Sequence, residues 1–196
     1  MKKIPTLYKR EFKDHRVVGI IPEYTDKDLH IDVKYGLYTV KFDGSCCAII
    51  DGVFYKRFDA KPGRTIPEGA IPCCDCDPIT GHHPHWVECD PDNKADKWFF
   101  EALKHYDLYH SITDKNQYVT FEAIGQHFNG NPYEMDFDTL VPHGIHYIPF
   151  FDSAEKRNFA GISEYLVKNN VEGIVIWRAG SPVAKIKRTD FGLDWR

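Results

Sequence analysis

No stretch of this sequence is apolar for long enough to span a membrane. The opening residues, MKKIPTLYKREFKDH, also lack the run that a signal peptide needs. The chain is therefore expected inside the cell, in the cytoplasm, with no membrane partner. An excess of positive charge is missing too, the net charge being −4 at pH 7. A protein that holds nucleic acid by bulk charge is basic, so any such contact must come from a local cluster of Lys and Arg. No internal repeat or low-complexity segment is present, which excludes repeat architectures. The six cysteines are expected as thiols, because disulfides are rare in a reducing compartment.

What is present suits a packed core. Of 196 residues, 42% are hydrophobic and 28% charged, and thirteen Phe, eleven Tyr and four Trp supply large apolar side chains. Residues 1–36 are mixed. "LYTVKF" reads as a strand leading to a turn at Asp43-Gly44. "SCCAII", Asp51-Gly52 and "VFYKRF" carry the signature of a hairpin with a two-residue turn. Residues 59–92 read as loop. In 93–109, Trp98, Leu103, Tyr106 and Tyr109 fall near helical spacing, with Asn93 as the cap. "QYVTFEAIG" reads as a strand ending at Gly125, and "HYIPFF" as a short strand. "SAEKRNFAGISEYLVKNN" reads as an amphipathic helix that starts at Ser153 and stops at Asn169-Asn170. "VEGIVIWR", a Gly-Ser-Pro turn and "VAKIKR" form a last hairpin. Strand pairs with interleaved helices imply an α+β fold with antiparallel sheets, and no segment of domain size is left over, so residues 1–196 are expected as a single domain.

The chemistry lies in charges placed on apolar strands. Lys41 precedes Asp43-Gly44 at the end of one strand. Glu122 lies within "TFEAIG" and Glu172 opens "VEGIVIW". Lys185 and Lys187 share a face of the final strand by period-two alternation, and Arg57 ends the hairpin that follows Lys41. Buried charges are costly unless they are paired or used. Converging, these two acids and four bases would suit a polyanion and a metal ion. Each also has a plain structural reading. Lys41 could be a snorkelling lysine beside a turn, the two acids half-buried partners of structural cations, Lys185 and Lys187 a solvated edge-strand face, and Arg57 half of a surface ion pair.

In this order the motifs resemble the covalent nucleotidyltransferase superfamily, which comprises ATP-dependent DNA and RNA ligases and mRNA capping enzymes. Lys41-Phe42-Asp43-Gly44 is similar to the nucleophile motif. Glu122 in "FEAIG" resembles the acid that holds the nucleotide ribose. Phe150 or Phe151 in "HYIPFF" resembles the aromatic that stacks on the purine. Glu172 in "EGIVI" resembles the acid that acts through the metal, and Lys185 and Lys187 in "AKIKR" resemble the phosphate-contacting lysines. Arg57 matches an arginine that contacts a phosphate. "DGSCC", "YKRFDAKPG", "IPEGAIPC", "DPITGHHPHW" and "AKIKRTDFGL" are similar to stretches of small ATP-dependent RNA ligases related to the vertebrate 5′-to-3′ RNA ligase. The resemblance implies the ligase and capping-enzyme nucleotidyltransferase fold, with ATP-grasp-like antiparallel sheets and flanking helices. No OB-fold domain is expected, since nine residues follow Lys187.

The activity implied is ATP-dependent RNA joining with Mg²⁺, or Mn²⁺ in its place. Lys41 would form lysyl-AMP, the AMP would pass to a 5′-phosphate, and a 3′-hydroxyl would close the bond. Lys41, Asp43, Arg57, Glu122, Phe150, Phe151, Glu172, Lys185 and Lys187 would bind the nucleotide, with Lys41, Lys185 and Lys187 catalytic and Glu172 on the metal. Arg57, Lys61, Arg64 and Arg188 would hold RNA phosphates beside the joint. DNA nick joining, RNA guanylylation and a nucleotide- or RNA-binding module without turnover are the alternatives. The segment 73–89 offers Cys73, Cys74, Cys76, Cys89, His82, His83 and His85. It reads as a zinc knuckle, as a loop meeting RNA through His and Trp86, or as a loop packed over the sheet by Pro84 and Trp86. Its cysteine spacing is poor for a knuckle, and zinc is not expected.

Overall fold

The computed structural model describes residues 4–14, 16–61, 63–78, 80–106 and 118–195. Its architecture is mixed α and β, with antiparallel strand pairing throughout the named sheets. The chain divides into two compact units, one formed by Asp43–His143 and the other by Lys3–Phe42 with Gly144–Arg196. The first boundary falls inside the Lys41–Gly44 motif. No helix among the described residues is long and apolar enough to cross a membrane.

In the unit that holds both ends of the chain, β1 (Tyr8–Lys13) and β2 (Arg16–Tyr24) form a two-stranded ribbon. Helix α1 (Leu29–Tyr35) leads into β3 (Leu37–Lys41). Late in the chain β10 (Gly173–Arg178) lies between β3 and β11 (Ser181–Lys187). Alternation then sorts the side chains. Tyr38, Ile174, Ile176, Ala184 and Ile186 are buried on one face, packed with Leu7, Phe151 and with Ile162 and Leu166 of α3 (Phe159–Lys168). Thr39, Lys41, Lys185 and Lys187 take the other face.

The second unit is a six-stranded sheet of β4 (Ser45–Ile50), β5 (Val53–Ala60), β6 (Ile71–Pro72), β7 (His83–Glu88), β8 (Tyr118–Ile124) and β9 (Thr139–Pro142), in the order β6-β7-β5-β4-β8-β9. Cys47, Ile49, Phe54, Phe121, Ala123 and Leu140 bury one face against Ala102 and Leu103 of α2 (Lys97–Lys104). Cys46, directly opposite Glu122, belongs to the other face.

Several elements follow the sequence reading. Asp51 and Gly52 both have positive φ, 50° and 79°, and close the β4–β5 hairpin as an Asp-Gly turn should. Asn93 accepts a hydrogen bond from the Ala95 N–H ahead of α2, although the 107–109 end of the helix expected there lies outside the described residues.

Others differ. Asp43-Gly44, read as a turn, connects β3 to β4, which belong to different sheets. Gly44 is pressed against β8, where a Cβ would lie 2.1 Å from the Ala123 carbonyl oxygen. The last hairpin turns on Ala179 and Gly180, with φ 46° and 75°, and Ser181 already starts β11. Asn158, not Ser153, caps α3 by accepting from the Gly161 N–H, while residues 154–156 form a separate 3₁₀ turn. "HYIPFF" is a bridge at Tyr147 followed by a 3₁₀ turn over Pro149–Asp152, because Pro149 presets a helical φ and donates no ladder bond. Residues 83–88, read as loop, are strand β7.

Gly173 stands where β10 begins, opposite both Lys41 and Lys187. A Cβ there would lie 2.2 Å from the Ile186 carbonyl oxygen. Gly173→Ala is therefore expected to cost roughly 1–3 kcal/mol, seen as a lower urea midpoint at unchanged slope. An unchanged midpoint would show that β11 yields freely here.

Candidate active site

Strand register builds a cationic face around one acid. Lys41 and Lys187 flank Gly173 from the two neighbouring strands, and Lys185 lies opposite Val175, one step further along. Glu172, immediately before β10, is only 4% exposed. Its Oε2 pairs with the Lys41 ammonium, and its Oε1 lies 2.7 Å from Lys187 Nζ. The Arg188 N–H donates to the Glu172 carbonyl at 2.8 Å, which fixes its backbone. Both carboxylate oxygens are thus satisfied, which a buried acid requires.

Lys185 has no carboxylate within ion-pair reach among the described residues. Burial pushes its pKa down to about 8, and the positive charges of Lys41 and Lys187 add to the effect, while Glu172 opposes it. Near neutrality this face therefore holds more positive charge than Glu172 balances. It can take up an anion, and a phosphate chain fits that need.

A neighbour that sequence reasoning missed sets Lys187. Asp190, 2% exposed, accepts from the Lys187 backbone N–H at 2.9 Å and from Arg10 Nε at 2.8 Å. The signal was present as an acid three residues after Lys187, the spacing of a capping box.

The six-stranded unit carries a second cluster on its Glu122 face. Glu122 Oε1 accepts from the Gly44 N–H at 3.1 Å, and Oε2 lies 3.0 Å from His143 Nε2. His143 Nδ1 is 2.9 Å from Thr120 Oγ1. Cys46 lies across the strand from Glu122. Its thiol is pushed up to about 12 by burial and then by the Glu122 carboxylate, against the pull of Arg57. Neither His143 nor Cys46 was a sequence candidate: Cys46 was noted only as part of "DGSCC", and His143 lies in no motif.

No family model matches the chain. Curated relatives do. RNA ligase 1 of Pongo abelii is 24% identical over 265 aligned residues, covering 99% of this chain and 82% of the relative. RNA ligase 1 of Rattus norvegicus is 23% identical over 266, with 99% and 82% covered. RNA ligase 1 of Danio rerio is 24% identical over 249, with 95% and 76% covered. The chain is related to RNA ligases. These alignments exceed its 196 residues, so the relatives carry residues within the aligned span that this chain lacks.

The remaining sequence candidates divide. Asp43 is built into the strand connection: Asn129 Nδ2 donates to its Oδ1 at 2.9 Å, and its N–H donates to the Tyr133 hydroxyl at 2.6 Å. Arg57 is exposed and pairs with Asp59 through Nε at 3.0 Å. Lys61 and Arg64 are exposed. Arg188 is partly exposed and turned to its own chain: Nε donates to the Asp194 carbonyl and Nη1 to those of Leu166 and Asn169. Phe151 is a core residue, 1% exposed and stacked on Tyr38 at 4.2 Å, which leaves no ring face for a purine. Phe150 is half-buried, with Lys156 Nζ 5.2 Å from its ring centroid.

In the 73–89 segment, Pro84, His85 and Trp86 are buried in β7, in line with the reading of packing by Pro84 and Trp86, though as a strand of the sheet and not as a loop over it. Its cysteines and histidines form no ligand group of three among the described residues.

Lys185 gives a pH test. Its folded pKa, about 8, lies below the ordinary 10.5. Between these values the unfolded chain binds the extra proton, so stability from this group rises with pH across that window. Lys185→Met is expected to stabilise the protein at about pH 7, with the gain shrinking toward about pH 10. Urea unfolding at both ends of the window checks this, and a gain independent of pH would show that Lys185 is not held against its charge.

Proposed function

We propose that the protein is an ATP-dependent RNA ligase with the ligase and capping-enzyme nucleotidyltransferase fold, using Lys41 as the nucleophile. The observation that carries this is the sharing of one buried carboxylate, Glu172, by Lys41 and Lys187, with Lys185 beside them. A structural lysine has no need of two further cations on its face. A nucleophile that attacks a phosphate does, because the same field favours loss of its proton and stabilises the charge of the phosphate under attack.

In the first step the neutral Lys41 amine attacks the α-phosphorus of ATP. The N–P bond forms, the bond to the β-phosphate breaks, and pyrophosphate leaves with the electron pair. Lys185 and Lys187 hold the phosphates. In the second step a 5′-phosphate oxygen of RNA attacks the AMP phosphorus and Lys41 leaves, regaining a proton. In the third step a 3′-hydroxyl loses its proton and attacks the activated 5′ end, and AMP departs.

The hard oxygens of Glu172, now held by two ammonium groups, suit Mg²⁺ or Mn²⁺, which take few carboxylates and complete their shells with water and phosphate. Bound there, such an ion would offset phosphate charge. Glu122, with its carboxylate oriented by Gly44 and His143, is assigned to the ribose hydroxyls. Arg57, Lys61 and Arg64 are assigned to RNA phosphates, and Phe150 is the remaining candidate from "HYIPFF" for the purine. The names of the relatives support RNA as the substrate, and ribose 2′-hydroxyls give a protein the means to tell it from DNA.

Incubation with α-labelled ATP and Mg²⁺ should leave label on the denatured chain. Lys41→Ala and Lys41→Arg should abolish it, since arginine keeps its proton and cannot attack. Label persisting in either variant would place the nucleophile elsewhere.

Glu172→Ala should lower the adduct rate at least about tenfold, the scale of a lost electrostatic contact in the transition state. A wild-type rate throughout a Mg²⁺ titration would remove Glu172 from this step. Nicked and single-stranded substrates with a 5′-phosphate and a 3′-hydroxyl should be sealed when all-RNA, and poorly when the 3′-hydroxyl strand is DNA. Equal sealing of all-DNA nicks would defeat the RNA assignment while leaving the lysyl-AMP chemistry intact.

A further inference from the structure

The Glu122 cluster has a donor chemistry that ribose binding does not call for. Cys46, Glu122 and His143 each offer a ligand atom within 4.8 Å of the other two, and all three are half-buried. Thiol, imidazole and carboxylate are the ligand types that zinc takes, and three of them leave an open position. Around a tetrahedral zinc ion such atoms lie about 3.3–3.6 Å apart, so the three would have to close up by at most about 1.5 Å to complete the set.

We propose that Cys46 Sγ, Glu122 Oε2 and His143 Nε2 form a reversible site for a borderline-soft divalent cation, zinc above all, and that its occupancy withdraws Glu122 from the nucleotide.

Three features of the site support this. His143 is oriented by Thr120 Oγ1 at 2.9 Å on Nδ1, with Nε2 aimed at the carboxylate. Such a partner on the second ring nitrogen is the usual support of a metal-bound histidine. Glu122 Oε1 is occupied by the Gly44 N–H, which leaves Oε2 as the ligating oxygen. Arg57, the nearby cation, is already paired with Asp59. A divalent ion would displace the thiol proton to solvent, and its charge would match the thiolate and the carboxylate together.

This is an exchangeable ion outside the 73–89 loop, not a resident structural one. The claim that it regulates rests on the ribose role proposed for Glu122; the binding claim does not.

Cobalt(II) separates the two claims because a thiolate–cobalt bond absorbs in the near ultraviolet whether or not the protein has ligase activity. One equivalent should develop that band in the full chain, and zinc should bleach it. Cys46→Ser and Cys46→Ala should lack it, Thr120→Val should weaken binding about 10–100-fold, and a Cys74→Ser/Cys76→Ser double variant should keep it. A band that survives Cys46 replacement, or that vanishes with Cys74 and Cys76, overturns the site.

With labelled ATP and Mg²⁺, saturating zinc should then cut the wild-type adduct at least about tenfold. Cys46→Ser should form the adduct at the wild-type rate and resist zinc. Cobalt binding at Cys46 without any zinc effect on the adduct overturns the regulatory half. A wild type that forms no adduct even without zinc defeats the ligase reading, and the cobalt spectrum still decides the metal site.

Discussion

The Glu172 carboxylate is the point on which the cationic face depends. It is almost fully withdrawn from water, and each of its oxygens meets a lysine from a different strand. Breaking a fully buried pair costs about 3–5 kcal/mol, and the part exposure of both lysines makes that an upper bound for each pair here. Here the loss would be compounded, since removing Glu172 would leave Lys41, Lys185 and Lys187 facing one another with no counter-charge from that acid. The depressed pKa of Lys185 registers the strain that already exists with Glu172 in place. Stability alone would favour apolar residues on these strands, as on the opposite face. A cluster of charges on an otherwise apolar sheet, with Lys185 among them depressed by burial, is what a site for anion chemistry requires.

The surrounding shell turns that cluster into a fixed arrangement. Asp190 ties the Lys187 backbone to Arg10 of the β1–β2 ribbon, so a ribbon of mostly charged residues gains a place beside the sheet. Lys187 and Arg188 are adjacent in sequence and opposite in use. Lys187 reaches the buried acid, while Arg188 turns away and satisfies the carbonyls of Leu166 and Asn169 at the end of α3. Helix C-termini leave acceptors unpaired, and a guanidinium with its fork of donors is suited to them. The two cations look alike in sequence, and only the accounting of their partners separates the one on the buried acid from the one at the helix end.

That distinction marks how far the sequence could be read. The strands of the cationic face were legible because apolar alternation ran directly into charged positions, as in "EGIVIW" and "AKIKR". The Asp51-Gly52 hairpin was legible because its turn chemistry is local. The N-terminal ribbon was not, since "YKREFK" buries little beyond Tyr8 and so carries almost no apolar period. Strand β7 was hidden by its proline and two histidines, although Pro84, His85 and Trp86 are all buried. At Asp43-Gly44 the break after the strand was legible, but not the close approach of Gly44 to the Ala123 carbonyl, which depends on a strand far along the chain. Phe150 and Phe151 were inseparable in sequence because which of two adjacent aromatics enters the core depends on the phase of a short 3₁₀ turn.

The two acids singled out in the sequence have since acquired different chemical characters, each set by its neighbours. Glu172 is surrounded by ammonium groups, and its oxygens offer only hard donation, which favours phosphate-bound magnesium over softer ions. Glu122 is surrounded by a backbone N–H, an imidazole and a thiol, and it has no ammonium partner among the described residues. A carboxylate so placed can accept a hydroxyl while its histidine holds it still. The same freedom from ammonium groups leaves its second oxygen open to a cation that also prefers nitrogen and sulfur. Hydroxyl recognition and soft-metal capture therefore draw on one oxygen atom. On the two assignments proposed above, occupancy of that oxygen by one would exclude the other.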